Sequence, residues 1–305
     1  MGTTAQGEWG AERLCSPLKV LPVYGNNGEG LSFKIKCPSG KTSKDGECGL
    51  IRIECQGVGR SFPLVIPGVE AIFFDKDGTL SRSEDYLKRL GQDRAKAIDA
   101  LAPGSQEAIL RCFGFRAVDA FQELDPTGLL PVGSGEENRL GAAGQLAAMG
   151  YPWFECLRIT QEAFQTVDES LPPFYTLAPI IPGVADCFQQ LAQLPVKVAV
   201  VSGDTTPNIE KFLDYHQLTA TVDGVRGADI PPRKPDPDCF WQMCDRLGVS
   251  PDSVVMVGDA TGDMAMAQAA GAAAGIGVLW GWSLPHQIDQ ADVIVDRWEQ
   301  LSFKV

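Results

Sequence analysis

At 305 residues, 44% hydrophobic and 21% charged, the chain has the composition of a soluble globular protein with room for one large or two modest domains. Its net charge of −13 argues against a nucleic-acid partner, which needs a basic face. No apolar run approaches the roughly 20 residues that span a bilayer. The opening MGTTAQGEWG lacks the basic-then-apolar order of a signal peptide, and Gln6 stands where a myristoylation signal needs Ser or Thr. No membrane association and a cytoplasmic location are therefore expected.

Residues 1–48 are rich in Gly, Ser and Lys and hold no helical period. They read as a flexible extension, or as translated sequence upstream of the natural start. Gly40-Lys41-Thr42 matches the tail of a phosphate loop. However, Ile35 stands where its leading glycine belongs and no strand–loop–helix pattern surrounds it, so it reads as chance. Of the nine cysteines, most lie inside apolar patterns, as Cys187 and Cys239 do, which predicts buried reduced thiols. Cys37, Cys48 and Cys55 are spaced too irregularly for zinc. The two histidines, His216 and His286, sit in turn-like contexts and supply neither a triad nor a metal site.

From Gly49 the texture changes. GLIRIECQG alternates apolar and polar residues, as an edge strand or hairpin arm does. SFPLVIPGV then leads into EAIFFD, apolar on both faces, as a central parallel strand is. Residues 83–176 are mostly helical by pattern. The first helix places Tyr86, Leu87, Leu90, Ala97 and Leu101 along one side, with Ser83 as its cap. DPTGLLPVGSGEEN is a long Gly/Pro-rich connection, and loops of that length often serve function. After Pro182-Gly183, strand and helix alternate down to ADVIVD, which predicts a parallel sheet with helices on both faces. The reading is an α/β, doubly wound, Rossmann-like core at 49–82 and 177–305, carrying an inserted all-α domain at 83–176.

Three apolar strands end in reactive groups. AIFFD ends at Asp75 with Asp77 just beyond, VAVVSGD at Ser202 and Asp204, and VVMVGD at Asp259 with Asp263 four residues on. In an open parallel sheet the crevice lies at the carboxyl ends of the strands, so these groups should converge. Lys234, in the loop Arg233-Lys234-Pro235 before a helix, can reach the same place. Each motif alone is commonplace: a D-x-D-G-T turn, a capping Ser, an acid at a helix start, a solvated lysine. Finding all four in order, three of them at strand ends, favours chemistry. Two carboxylates two residues apart repel, so a cation must sit between them or one must hold a proton.

The order D-x-D-G-T, Ser, Lys, G-D-x-x-x-D resembles the haloacid dehalogenase-like hydrolase superfamily over about residues 69–300. The helical insertion after the first motif resembles the phosphoglycolate phosphatase-like group with its type C1 cap. The resemblance implies that Asp75 is the nucleophile and forms an aspartyl-phosphate. Asp77 would protonate the leaving oxygen and then take a proton from water. It further implies Mg2+ among Asp75, Asp259 and the backbone carbonyl of Asp77, with Asp263 supporting the metal waters or orienting Lys234. Ser202 and the backbone N–H groups of Lys76 and Gly203 would hold the phosphoryl oxygens, and Lys234 would balance their charge. Thr79 is expected to hydrogen-bond back and hold Asp77, while the Lys76 side chain should point away from the phosphate. Family dehalogenases lack an acid two residues after the nucleophile, so Asp77 favours phosphoryl transfer.

A phosphatase acting on a small phosphorylated metabolite is the leading reading. A phosphomutase of the beta-phosphoglucomutase type is the second, and a catalytically silent binding or regulatory module on the same fold the third. A mutase needs basic cap groups for a second phosphate. In the loop at 125–144 only Arg139 is basic, with Ser134 and Asn138 as further polar candidates for substrate contact. Ser202-Gly203-Asp204 departs from the Thr-Asn more usual in the phosphoglycolate phosphatases. The chain is expected to act as a monomer or homodimer.

Overall fold

The computed structural model describes residues 50–118 and 121–305, so the expectations for residues 1–48 fall outside the described residues. Strands β1 (Ile51–Cys55) and β2 (Leu64–Val69) form an antiparallel hairpin, and β3 (Ala71–Phe74) follows at once. The chain then runs through α1 (Glu84–Leu101), α2 (Gln106–Phe113), β4 (Phe115–Val118), β5 (Phe121–Leu124), α3 (Leu129–Val132), α4 (Gly135–Ala148) and α5 (Trp153–Ser170). It re-enters the α/β pattern at α6 (Val184–Leu191), β6 (Lys197–Val201), α7 (Thr206–Tyr215), β7 (Gly224–Arg226) and α8 (Asp238–Leu247). It finishes with β8 (Val254–Gly258), α9 (Thr261–Ala270), β9 (Ala274–Val278), β10 (Val293–Val295) and β11 (Leu301–Lys304).

Six strands make one parallel sheet in the order β10-β9-β8-β3-β6-β7. Alternation along β3 explains why the strand is apolar throughout. Ile72 and Phe74 join Val198, Val200, Val255 and Val257 on one face, against α6 and α7. Ala71 and Phe73 join Ala199, Val201 and Met256 on the other, against α8 and α9. Sequence order runs outward from β3 on one side through β6 and β7, then restarts at β8 on the other. That switch opens the crevice beyond β3.

The arm GLIRIECQG is β1, a hairpin arm as expected and also the middle strand of a separate antiparallel sheet, β11-β1-β2. Its inward residues Ile51, Ile53 and Cys55 extend the core on the α6 face.

The insertion has its own apolar cluster, which includes Ile98 of α1, Phe113 of α2, Leu146 of α4 and Phe164 of α5. The buried stripe of α1 is Leu90, Gly91, Arg94, Ala95 and Ile98; Leu101 is 37% exposed, so the face is rotated from the expected one. The insertion also contains the β4–β5 hairpin, which its helical pattern did not predict. The two connections to the sheet run side by side. Ile181 N donates to Leu80 O at 2.9 Å, and Arg82 N to Pro179 O at 2.9 Å.

Candidate active site

In the sheet, Phe74 stands beside Val200 of β6 and Val257 of β8. One residue further on, Asp75 N still donates to Val257 O at 2.9 Å. The register therefore brings Asp75 between the ends of β6 and β8, where Ser202 and Asp259 follow. All three line a cleft of about 1230 Å³ between the strand ends and the helical insertion. Asp75, Asp77, Ser202, Gly203, Lys234, Asp259, Asp263, Ser134 and Asn138 all border it.

Three buried carboxylates, Asp75, Asp259 and Asp263, each offer an oxygen within 4.8 Å of the others. Lys234 Nζ donates to Asp75 Oδ1 and Asp263 Oδ1, both at 2.6 Å. Burial pushes the Asp75 carboxyl up to about 6, against the Lys234 ammonium, with Asp263 and Asp77 adding to the rise. Burial also drives Asp259 well above the carboxylate range, with Asp75 and Asp263 beside it. Lys234 is held above its usual value, because Asp263 and Asp75 outweigh its burial. One ammonium thus faces three acids. A hard divalent cation, which takes oxygen ligands, fits this donor set and would relieve the repulsion.

Local structure sets each group. Arg226 of β7 donates to the carbonyls of Ile230 at 3.1 Å and Pro232 at 2.9 Å, which shapes the loop that delivers Arg233 and Lys234. Asp263 Oδ2 accepts from Ala260 N at 3.2 Å, so its other oxygen is fixed toward Lys234. Gly78 has φ +79, a left-handed turn that carries the chain off β3.

Asp77 is held differently from the sequence expectation. Lys76 Nζ bridges its two oxygens at 2.9 Å each, Ser81 Oγ donates to Oδ1 at 3.2 Å, and Ser83 Oγ donates to the same oxygen. Ser83 starts α1 but makes no side-chain cap; its hydroxyl serves Asp77 instead. Burial would raise the Asp77 carboxyl, but Lys76, Ser83 and Ser81 outweigh it and hold it below the usual range. Thr79 does not reach Asp77 and does not border the cleft; its Oγ1 donates to Asp259 Oδ1 at 3.3 Å. Nor is the Lys76 side chain free of the site. It is 1% exposed, lines the cleft and also pairs with Asp204 Oδ2 at 3.0 Å.

On the far wall, Ser134 caps α4 in a reciprocal box with Glu137 and accepts from Arg233 Nη1 at 3.3 Å. Asn138 is buried, with Nδ2 donating to Gly133 O at 3.2 Å and Oδ1 without a partner among the described residues. Arg139 is not on the cleft; it forks onto Glu136 at 3.1 and 2.7 Å.

Further residues escaped the sequence reading. Trp282 Nε1 donates to Asp259 Oδ2 at 2.6 Å, His286 Nε2 to Asp259 O at 3.0 Å, and Trp280 Nε1 to Thr79 O at 3.0 Å. With Thr79 on Oδ1, each oxygen of Asp259 carries one donor and keeps a lone pair. The paired tryptophans of LWGWS were the one available signal, though nothing in their spacing ties them to Asp259.

Residues 69–271 match the family described as haloacid dehalogenase-like hydrolase. The chain is 26% identical over 249 residues to the phosphoglycolate phosphatase of Pectobacterium atrosepticum, covering 77% of this chain and 92% of that protein. It is 30% identical over 118 residues to the phosphoglycolate phosphatase of Escherichia coli K12, covering 38% of this chain and 46% of that one. In fold it is similar to a predicted phosphoglycolate phosphatase from Haemophilus somnus, with a TM-score of 0.56 at 21% identity over 74% of this chain and 93% of that one. It is also similar to a protein provisionally named beta-phosphoglucomutase from Thermotoga maritima, with a TM-score of 0.51 at 20% identity over 76% and 96%.

Proposed function

Because the chain belongs to the haloacid dehalogenase-like hydrolase family, we propose that it hydrolyses a small phosphate monoester through an aspartyl-phosphate on Asp75. The observation that carries this reading is Lys234 bridging Asp75 and Asp263 beside Asp259, three acids and one ammonium gathered at strand ends. Asp75 Oδ attacks phosphorus, and the bond to the leaving oxygen breaks with its electron pair going to that oxygen. Asp77 in its protonated form, which Lys76, Ser83 and Ser81 disfavour in the empty site, gives that oxygen its proton and afterwards takes one from the water that attacks the aspartyl-phosphate. Ser202 Oγ and the N–H groups of Lys76 and Gly203 hold the phosphoryl oxygens, while Lys234 offsets the charge that builds there. Asp75, Asp259 and Asp263 would hold Mg2+, with the carbonyl of Asp77 as a further ligand; when bound, the ion supplies charge neutralisation for acids and phosphate. The helical insertion serves as the cap that selects substrate, with Ser134 and Asn138 on its cleft face.

Phosphoglycolate heads the candidates, on the names of the relatives. A mutase needs uncommitted cations for a second phosphate. Arg94 is tied to Asp168, and Lys76 and Lys234 each lie between two acids, whereas Lys211 and Arg233 border the cleft with no acid salt bridge among the described residues, so the mutase stands as the second reading. The test is phosphate release from a panel of phosphorylated metabolites, with and without Mg2+, for wild type and Asp75→Asn. Mg2+-dependent release that the variant loses is expected. Turnover retained by pure, folded Asp75→Asn would overturn the nucleophile.

A further inference from the structure

Lys76 stands between the two acids of the first motif, and its side chain makes contacts with Asp77 and Asp204 that the sequence did not announce. Its ammonium touches both oxygens of Asp77 at 2.9 Å and Asp204 Oδ2 at 3.0 Å. The Phe174 ring lies 4.5 Å below it and Phe212 5.7 Å away. A buried ammonium persists only where its charge is matched, and the two acids match it: they outweigh burial and hold it above its usual value. Three segments meet on this one atom. Asp77 belongs to the turn after β3, Asp204 to the loop that also carries Ser202, and Phe174 to the stretch by which the chain returns from the insertion. Asp204 is itself fixed, since its Oδ1 accepts from Thr205 N at 2.7 Å and Asn208 Nδ2 at 2.8 Å at the start of α7.

We propose that Lys76 is a positioning residue for the leaving-group step: its ammonium pins the Asp77 carboxyl and the Ser202 loop in one arrangement across the cleft. The inference rests on the reading of Asp77 as the proton donor. Ser81 and Ser83 both act on Oδ1 and leave rotation about that oxygen open; the second contact, from Lys76 to Oδ2, closes it. Without Lys76, Asp77 and Asp204 face each other with no cation between them and turn apart. The donor then loses its aim toward the oxygen whose bond to phosphorus is breaking, and proton transfer needs hydrogen-bond reach at that atom. Asp75 keeps its pairing with Lys234, and any loosening of the Ser202 loop slows attack on every substrate by one factor, which cancels in a ratio of two substrates.

The test compares kcat/KM for phenyl phosphate, a poor leaving group, with that for p-nitrophenyl phosphate, a good one, in saturating Mg2+. Loss of a proton donor slows the first far more than the second. Lys76→Met should cut the ratio of phenyl to p-nitrophenyl activity roughly tenfold or more. Lys76→Arg should restore part of that ratio, and Lys76→Met in an Asp77→Asn background should change it no further. A merely structural role would lower both substrates by one factor, and that result overturns the proposal. If Lys76→Met does not fold, Asp204→Asn carries the test, with a smaller shift of the ratio in the same direction; an unchanged ratio overturns it. Asp77→Asn alone separates the two levels. If it lowers both substrates equally, the reading of Asp77 fails and takes the inference with it; if it is selective and Lys76→Met is not, only the inference fails.

Discussion

Replacing Gly78 by Ala tests how tightly the turn after β3 is built around Asp259. A Cβ there would overlap Asp259 Oδ2 and Trp282 Nε1 and lie 2.6 Å from Asp259 Cγ. The residue also sits at φ +79, where a side chain costs about 1–2 kcal/mol. Forcing the Asp259 side chain aside adds an overpacking cost of about 1–3 kcal/mol. The sum, about 2–5 kcal/mol, corresponds to a fall in Tm of about 5–15 °C for a domain of this size. Gly104→Ala is the control. It has φ +87 and nothing among the described residues within 4 Å of the added carbon, so it bears the backbone cost alone. Thermal melts of the two variants should differ by the crowding contribution, and Gly78→Ala alone should weaken Mn2+ binding in an electron-paramagnetic-resonance titration. Equal melting shifts with Mn2+ affinity unchanged in both would refute the claim that Gly78 is required by its contact with Asp259.

Trp282→Phe keeps the packing but removes the N–H on Asp259 Oδ2. Lost outer-shell support of this kind weakens a metal by about 10- to 100-fold, so Mn2+ titration should show that loss while the Tm without metal barely moves. Unchanged affinity would exclude a role for the indole in orienting Asp259. Mg2+ at a hundred times its Kd should stabilise the fold by about 2.7 kcal/mol, raising Tm by about 5–10 °C in a differential scanning melt. A chelator should reverse that rise, and Asp259→Asn should abolish it; a rise retained in Asp259→Asn would remove that carboxylate from the ligand set.

The parts of the site that were legible in the sequence are those where a polar residue interrupts an apolar run. Asp75, Ser202 and Asp259 each follow a strand buried on both faces, and a polar group placed there has nowhere to go but the strand end. Lys76 keeps the alternation of β3: its ammonium lies over Phe174 and Phe212, on the α7 side that Phe74 also packs against, while Asp75 turns to Lys234 and Asp263. What a period of two does not show is that this side also borders the cleft, through Asp77 and Asp204. Thr79 reaches Asp259 instead of Asp77, a contact 180 residues away in sequence that no local pattern announces. Arg139 could have been set aside from helical spacing. Ser134 and Asn138 are four residues apart and share a face, while Arg139 is turned away by one further step. Trp282 lies 23 residues beyond Asp259, and no local pattern announces a contact at that separation. The three residues of β7 and four of β11 are too short to show a period, and both strands are held by neighbours distant in sequence.

The paired connections at residues 80–82 and 179–181 have a consequence for how the chain could have been assembled. The insertion leaves and re-enters the sheet through neighbouring backbones joined by hydrogen bonds. Its ends therefore lie close enough for a tight turn to join them. Lengthening, shortening or replacing everything between would leave the strand order of the sheet unchanged, because closure happens at the junction and not within the helices. The acids at the strand ends and the wall they face can in this way change independently. A new partner for the cleft can be acquired by editing a segment whose removal leaves β3 still beside β6 and β8.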